Sequence, residues 1–193
     1  TATGKEALFK NTTGAENAGI SYKALHLNTT GSNNTAGGSG ALYSNTTASN
    51  NTAFGAAALY ANTTGAGNVA VGKEALLGNT TAGSNVAIGW ASMYTNTTGQ
   101  RNTSVGTNAL TYSTTSNNNT AIGNDSMLRN TTGSENTAVG NGSLYTNTTG
   151  ANNIAIGNNA MNANTTGTRN TAVGVSALAT NITTGDQTAV GFE

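Results

Sequence analysis

The segment Asn62-Thr63-Thr64-Gly65-Ala66-Gly67-Asn68-Val69-Ala70-Val71-Gly72-Lys73-Glu74-Ala75-Leu76-Leu77-Gly78 is one copy of a seventeen-residue block that repeats along the whole chain. The commonest form of the block is Asn-Thr-Thr-Gly-x-x-Asn-Thr-Ala-Val-Gly-x-x-Ala-Leu-x-x, and about eleven copies follow one another without an insertion. We number the block from its first Asn and use column for all residues that share one block position. A fixed period with a fixed hydrophobic pattern predicts one structural unit stacked on copies of itself. It does not fit a globular domain built around a single central core.

Composition narrows the function classes. The 193 residues are 35% hydrophobic and 7% charged, with a formal net charge of zero, so nothing attracts nucleic acid or an anionic membrane electrostatically. Cysteine is absent, which excludes disulfides and thiolate metal sites. No apolar run reaches the roughly 18 residues of a membrane span, and no signal peptide is visible. The strict period argues against disorder, despite the polar, low-complexity composition.

The apolar columns predict the inside of each coil. Column ten holds an aliphatic residue or Phe in ten of twelve copies, and column eight holds Thr, Val or Ile in most. We expect these two columns to share the inward face of a short strand, with the Ala of column nine on the strand's other side. Column fifteen is Leu or Met throughout and is a second interior position. The Gly of column eleven marks a tight bend or a positive φ angle. The column-ten residues are Ile20, Phe54, Val71, Ile88, Val105, Ile122, Val139, Ile156, Val173 and Val190.

The charged residues support the same register. All fourteen fall in columns six, twelve, thirteen or seventeen, and an uncharged interior with charge at the bends is typical of a β-solenoid. We therefore predict an all-β fold, a parallel β-solenoid of about eleven coils that forms a rod on the order of 50 Å long. We expect residues 1–193 to be a single repeat domain and an uncapped segment of a longer fibre.

Three segments carry a family resemblance: Asn68-Val69-Ala70-Val71-Gly72, Asn85-Val86-Ala87-Ile88-Gly89 and Asn153-Ile154-Ala155-Ile156-Gly157. They resemble the head repeats of trimeric autotransporter adhesins (the YadA-like head), and related repeats occur in phage and viral tail fibres. The resemblance implies a left-handed parallel β-roll in which three chains pack side by side. It also implies a location outside the cell, on a cell surface or a virion, and a role in attachment and display. The Asn-Thr-Thr-Gly bend makes the coil longer than the family's usual coil.

Two asparagine columns are candidate sites. Column seven is predicted to form a stacked amide ladder at a turn, which satisfies backbone groups coil after coil. Its members are Asn17, Asn34, Asn51, Asn68, Asn85, Asn102, Asn119, Asn136, Asn153 and Asn170. Column one lies in an N-glycosylation sequon in ten blocks, although repetition alone creates these sequons and a ladder is again the favoured interpretation. Those residues are Asn11, Asn28, Asn45, Asn62, Asn79, Asn96, Asn130, Asn147, Asn164 and Asn181.

Aromatic residues are the candidate surface contacts. Tyr43, Tyr60, Tyr94 and Tyr145 lie in column sixteen, and Tyr22 and Trp90 lie in column twelve. Such a column can bind sugars or pack between chains, and packing is the favoured role. On an adhesin, receptor contacts are expected in the variable columns five, six, twelve and thirteen.

Little in the sequence suggests catalysis. The only histidine, His26, is expected to be structural or at the surface, and the seven carboxylates occupy variable bend positions. Zinc, calcium-loop and phosphate-loop signatures are missing, so we expect no enzyme, no cofactor and no metal site.

The leading functional hypothesis is a non-enzymatic extracellular fibre segment. Its partners would be copies of itself, as a homotrimer or an end-to-end polymer, and a host-surface protein or glycan; nucleic acid and membrane insertion are not expected. One alternative is a self-assembling structural filament. Another is ice binding through outward threonine columns. Adjacent residues such as Thr63 and Thr64 face opposite ways, so a flat ice-binding face needs two columns that lie two residues apart.

Overall fold

The computed structural model describes residues 1–192, and within them the fold is all-β, without a helix. Twelve short parallel strands form one sheet in chain order, which confirms the predicted parallel β-solenoid. The strands are β1 Ala2–Thr3, β2 Ala18–Ile20, β3 Thr35–Gly37, β4 Thr52–Phe54, β5 Val69–Val71, β6 Val86–Ile88, β7 Thr103–Val105, β8 Thr120–Ile122, β9 Thr137–Val139, β10 Ile154–Ile156, β11 Thr171–Val173 and β12 Thr188–Val190.

The register of the sheet reproduces the sequence period. Val69 pairs with Val86, and Val86 pairs with Thr103, so each residue faces its counterpart one block later. The rest of each coil is built of turns, but its backbone also bonds from coil to coil. Leu25 N donates to Ala41 O at 3.0 Å, and Thr29 N donates to Thr46 O at 2.8 Å. Hydrogen-bond ladders therefore run along the rod on the turn side of the coil as well as through the sheet.

The strands present the opposite face to the interior from the one predicted. Column nine is buried, as at Ala70 and Ala87, whereas Val71, Ile88 and Ile122 of column ten are 36%, 38% and 40% exposed. Alternation along a strand assigns residues to two faces but does not say which face is inside. The expectation that columns eight and ten form the core is therefore wrong.

The narrow interior explains this reversal. Ser104 of column nine and Ser92 of column fourteen are both fully buried, and their hydroxyl oxygens lie 2.7 Å apart across the coil. Only alanine-sized side chains fit between the strand and the turn opposite it. The β-branched residues of columns eight and ten are too large for that space, so they point outward.

The apolar interior consists of columns nine, fourteen and fifteen. Leu76, Met93 and Leu110 are fully buried, as predicted for column fifteen. These residues have a left-handed backbone, with φ of 55° at Leu76 and 52° at Met93. A left-handed conformation costs an L-residue roughly 1–2 kcal/mol, which burial of a Leu or Met side chain, at about 1.5–3 kcal/mol, can offset.

The glycines of column eleven are required by close approach of neighbouring coils. Gly55 has a φ of +131°, and a Cβ added there would lie 2.5 Å from the carbonyl oxygen of Gly72 in the next coil. The predicted positive φ is therefore present, and the same glycine also lets the coils stack at the spacing of a sheet.

The charged residues lie at the bends, as predicted. Among residues 1–192 none is buried. Arg169 and Asp186 face each other from adjacent coils, and Arg169 Nε donates to Asp186 Oδ1 at 2.7 Å. The hydrogen bond and charge of the guanidinium lower the pKa of the Asp186 carboxyl group.

Candidate functional site

One distinctive surface is the strand face, which we define as the outward side chains of columns eight and ten on β1–β12. Seven large apolar side chains of column ten are exposed: Ile20, Phe54, Val71, Ile88, Ile122, Ile156 and Val190. Column ten has one glycine, Gly37, and the Phe54 ring of the next coil covers it. A Cβ added at Gly37 would lie 2.5 Å from that ring. The apolar row is therefore continuous along the rod.

Column eight adds partly exposed threonines and aliphatic residues beside this row. Thr103 and Thr120 are half-buried, and Ile154 is 42% exposed. Neither column contains a charged residue. The strand face is thus uncharged and largely apolar, and the sequence prediction missed it by placing these two columns inside.

The asparagine ladder of column seven is present. Asn34 N donates to Asn17 Oδ1 at 2.9 Å, and Asn34 Nδ2 donates to Asn17 Oδ1 at 3.2 Å and to Ala48 O at 2.8 Å. The backbone bond recurs up to Gln187, whose N donates to Asn170 Oδ1 at 2.9 Å. Each amide thus satisfies a backbone donor and a backbone carbonyl of the next coil, as Asn34 does with Asn51 N and Ala48 O.

Column one forms a second ladder joined to the first. Asn45 Nδ2 donates to Asn28 Oδ1 at 2.7 Å and to Ala48 O at 2.9 Å, so Ala48 O accepts from both ladders. Eight of the ten sequon asparagines are fully buried. A glycan would need the same amide nitrogens and the same space. Glycosylation of these eight side chains is incompatible with the folded coil: Asn28, Asn45, Asn62, Asn79, Asn96, Asn130, Asn147 and Asn164.

The column-one ladder is interrupted at Ser113. The Ser113 and Ser116 hydroxyl oxygens lie 2.6 Å apart and satisfy each other. Asn96 Oδ1, which would accept from an asparagine at 113, is buried without a partner, and Asn130 Nδ2 donates only to Gly133 O. The two substitutions, Ser for Asn and Ser for Gly, were visible in the sequence, but only the structure shows that they contact each other.

The threonines of columns two and three differ in their contacts, and one per coil is more exposed except where Thr12 and Thr97 of column two are exposed as well. Thr63 Oγ1 donates to the Thr80 carbonyl oxygen at 3.0 Å in the next coil, whereas Thr64 is exposed. All eleven threonines of column three are exposed. Column two therefore binds coil to coil, and column three meets solvent.

Four rings of column sixteen form a stack. The centroid distances for Phe9–His26, His26–Tyr43 and Tyr43–Tyr60 are 5.3, 5.1 and 5.0 Å, with interplanar angles below 10°. His26 is buried within the stack, and its Nδ1 lies 3.2 Å from the Glu6 carbonyl oxygen. The histidine is thus structural, and the rings pack within one chain.

The other aromatic candidates lie apart from the stack. Tyr22 and Trp90 are exposed at the bend that follows the strands, at 45% and 53%. Tyr94 and Tyr145 are half-buried, and the Arg129 guanidinium lies 5.7 Å from the Tyr145 ring centroid. The structure therefore brings together only Tyr43 and Tyr60 of the predicted contacts, with Tyr22 nearby.

Residues 1–192 contain no group of three His, Cys, Asp or Glu side chains arranged to hold a metal ion. Over the same residues there is no helix long and apolar enough to cross a membrane. Comparison of the chain with protein-family models, with curated proteins and with solved structures found no match.

Proposed function

We propose that this chain is a non-enzymatic segment of an extracellular fibre, an adhesin head or a phage or viral tail-fibre shaft, whose copies associate laterally and serve attachment and display. The strand face is the observation that carries this proposal. Monomeric soluble proteins rarely expose continuous apolar surfaces of such length, and exposed apolar patches commonly mark interfaces. The sequence resemblance to trimeric adhesin heads points the same way.

The size of the strand face fits a stable interface. Twelve strands about 4.8 Å apart make it about 53 Å long, and two outward side chains per strand make it roughly 14 Å wide. These dimensions give on the order of 700 Å² per chain, close to the roughly 800 Å² that each partner buries in a standard interface. Burial of the face also suits its lack of charge, since a charge buried without a partner would be costly.

A homotrimer satisfies this geometry. Each chain has one sheet that runs along the rod, so three chains can turn their strand faces toward a common axis parallel to the rod. A threefold ring closes on itself and leaves no strand face open, whereas an open arrangement would continue into a fibre. In this arrangement columns three, six, twelve and thirteen remain outside, where they are available for attachment.

The mass of the particle in solution tests the proposal. Sedimentation equilibrium at micromolar concentration is expected to give about three times the 19.1 kDa mass of the chain. The triple variant Val71→Glu, Ile88→Glu and Ile122→Glu places three charges on the strand face and is expected to sediment as a monomer with an unchanged β-rich circular dichroism spectrum.

A matched variant, Thr64→Glu, Thr81→Glu and Thr115→Glu, adds the same charge to exposed column three and is expected to remain trimeric. A monomeric wild type, or dissociation of this control, contradicts association through the strand face. Indefinite polymers in negative-stain images would favour the structural filament instead of the discrete fibre segment.

A second candidate, ice binding, is favoured by one observation. Columns eight and ten both face outward, two residues apart on one parallel sheet, which is the spacing that two ice-binding threonine columns require. Column eight is Thr at Thr35, Thr52, Thr103, Thr120, Thr137, Thr171 and Thr188. Column ten is aliphatic rather than Thr, and for that reason we rank lateral association first.

Thermal hysteresis separates the two functions. Ice binding predicts a hysteresis gap in the wild type that disappears in Thr103→Tyr/Thr120→Tyr, because bulky rings break the flat face. A trimer without hysteresis removes the second candidate.

A further inference from the structure

A groove runs along the rod beside the aromatic stack, on the bend that follows the strands. Its floor consists of the small residues Ser39 and Gly40 in one coil and Ala56 and Ala57 in the next. The groove encloses about 430 Å³, within the usual range for small-ligand sites. It uses columns twelve, thirteen and sixteen and therefore lies outside the strand face.

The sequence creates this groove at one place along the rod. Columns twelve and thirteen hold Tyr22-Lys23 before the floor and Lys73-Glu74 after it, so two coils with the smallest pairs lie between two coils with large pairs. The large pairs form the ends of the groove. The backbones of the two end coils lie three inter-coil steps of about 4.8 Å apart, about 14 Å in all, which limits the groove to a short chain of sugar rings.

Tyrosines line the groove. Tyr43 and Tyr60, the last two rings of the stack, form its side wall, and Tyr22 lies at one end. The Tyr60 ring lies over Gly40, where an added Cβ would be 3.3 Å from two ring carbons. Glycine at this position thus lets the wall approach the floor. Because the Tyr43 ring stacks against it, Tyr60 would lose little conformational freedom on binding.

The charges at the groove are already compensated. Lys23 Nζ lies 3.7 Å from a Glu6 carboxylate oxygen, and Lys73 Nζ lies 3.5 Å from a Glu74 carboxylate oxygen. Lys23 also lies between two rings, 5.1 Å from the Tyr22 centroid and 6.0 Å from the Tyr43 centroid. A charged ligand would compete with these contacts, whereas a neutral ligand with hydroxyl groups can bond to the same side chains without displacing them.

We propose that this groove binds a neutral oligosaccharide of two or three rings. Aromatic rings offer a surface on which the C–H groups of a sugar can pack, and the tyrosine hydroxyls, Ser39 and the paired charges offer partners for sugar hydroxyls. The inference deepens the proposed attachment function, on which it rests, by naming the site and the class of ligand.

Saturation-transfer NMR tests the site with defined probes. Cellotriose, maltotriose, chitotriose and lactose are the neutral sugars, 3′-sialyllactose and a heparin tetrasaccharide are the charged ones, and acetyl-(Ala-Ser-Gly)₂-amide is the peptide probe. We expect signal from at least one neutral sugar at millimolar concentration, weaker signal from the charged sugars and none from the peptide.

A groove-filling variant links the signal to the site. Ala56→Trp places a large side chain in column twelve, which already holds Tyr22 and Trp90, so the fold is retained and the signal is expected to disappear. The matched control Asn141→Trp makes the same change in the same column outside the groove and is expected to bind as the wild type does. Tyr60→Leu, a residue found in this column at Leu77, is expected to weaken binding on the order of five- to tenfold.

Four outcomes overturn the groove proposal: no signal from any neutral sugar, stronger binding of the charged sugars, binding of the peptide instead, or full binding by Ala56→Trp. The same titration on the dissociated strand-face variant separates this proposal from the fibre, because the groove lies within one chain. If the wild type binds sugar but is not a trimer, only the proposed fibre function is contradicted. If it is a trimer but does not bind sugar, only the proposed sugar site is contradicted.

Discussion

Each coil has two buried halves that differ in chemistry. The apolar half contains columns nine, fourteen and fifteen, represented by Ala70, Ala75 and Leu76, and the amide half contains columns one and seven, represented by Asn79 and Asn68; all five side chains are fully buried. Leu76 packs against apolar atoms, whereas Asn68 makes directional bonds to the coils before and after it. The two halves therefore differ in which substitutions they accept.

The natural variation within the chain reflects this difference. In the apolar half, column fifteen changes from Leu to Met three times, at Met93, Met127 and Met161, and all three remain fully buried. In the amide half, the change to Ser113 leaves Asn96 Oδ1 without a partner. Dispersion contacts need only similar volume, while a hydrogen-bond ladder needs a particular group at each step.

Placing a polar side chain in the apolar half should reduce stability most. The variant is Leu76→Asn. The substitution removes a buried leucine and leaves an amide without partners, and we expect a loss of about 4 kcal/mol in the free energy of unfolding. Asn tolerates the left-handed backbone at this position better than Leu, so the loss would report burial rather than strain. Urea denaturation at fixed protein concentration measures it, with Leu76→Met, expected to cost under about 1.5 kcal/mol, as the control.

The reciprocal substitution, Asn68→Leu, should cost about 3 kcal/mol. It removes the bonds from Asn68 Nδ2 to Ala82 O and Asn51 Oδ1, and it leaves Asn85 N without its acceptor. Hydrogen exchange at the Asn85 amide is expected to accelerate. Asn158→Leu, at an exposed position, serves as the control and should change little. Equal effects of the two variants would mean that the ladder does not stabilise the coil.

Repair of the interrupted ladder should stabilise the protein by a smaller amount. Ser113→Asn combined with Ser116→Ala gives this coil the Asn and Ala that other coils have in columns one and four, as at Asn45 and Ala48 or Asn79 and Ala82. The new asparagine provides a donor for Asn96 Oδ1. We expect a gain of about 1–2 kcal/mol in the free energy of unfolding, measured by urea denaturation. Ser116→Ala alone leaves Ser113 unpaired and should give no gain; an equal gain from it would refute the ladder explanation.

The smallest expected difference separates two neighbouring threonines. Thr63→Ala removes the hydroxyl that donates to Thr80 O and should cost about 0.5–1 kcal/mol, whereas Thr64→Ala changes an exposed side chain and should be nearly neutral. Thermal unfolding under identical conditions compares them. A larger loss from Thr64→Ala would show that column three, and not column two, makes the contacts between coils.

Much of the fold could be predicted because the period is strict. The parallel solenoid, the bend at the column-eleven glycines, the burial of column fifteen and the charges at the bends all follow from the pattern. The orientation of the strands could not be predicted in the same way. Apolar residues at columns eight and ten suggested burial, but the space between Ser92 and Ser104 admits only small side chains. The distance between the strand and the turn opposite it cannot be predicted from the sequence of a single block.

The candidate sites show the same division. The asparagine ladder of column seven could be predicted, since identical amides one coil apart must face each other. The groove could not, because its floor, wall and ends come from four successive coils and depend on how column sixteen leans over column thirteen, as Tyr60 does over Gly40. The strand face was missed for the reason that reversed the core.

By itself, the sequence determined the stacking of coils, because a period without insertions gives every residue the same neighbours one block away. It also determined which side chains form columns. Only the tertiary structure decided which columns lie inside. Side chains alternate between the two faces of a strand, and this alternation does not say which face is buried; the width of the coil does. In a narrow coil the alanines of column nine lie inside and the valines and isoleucines of column ten lie outside, and the exposed apolar strand face follows from that arrangement.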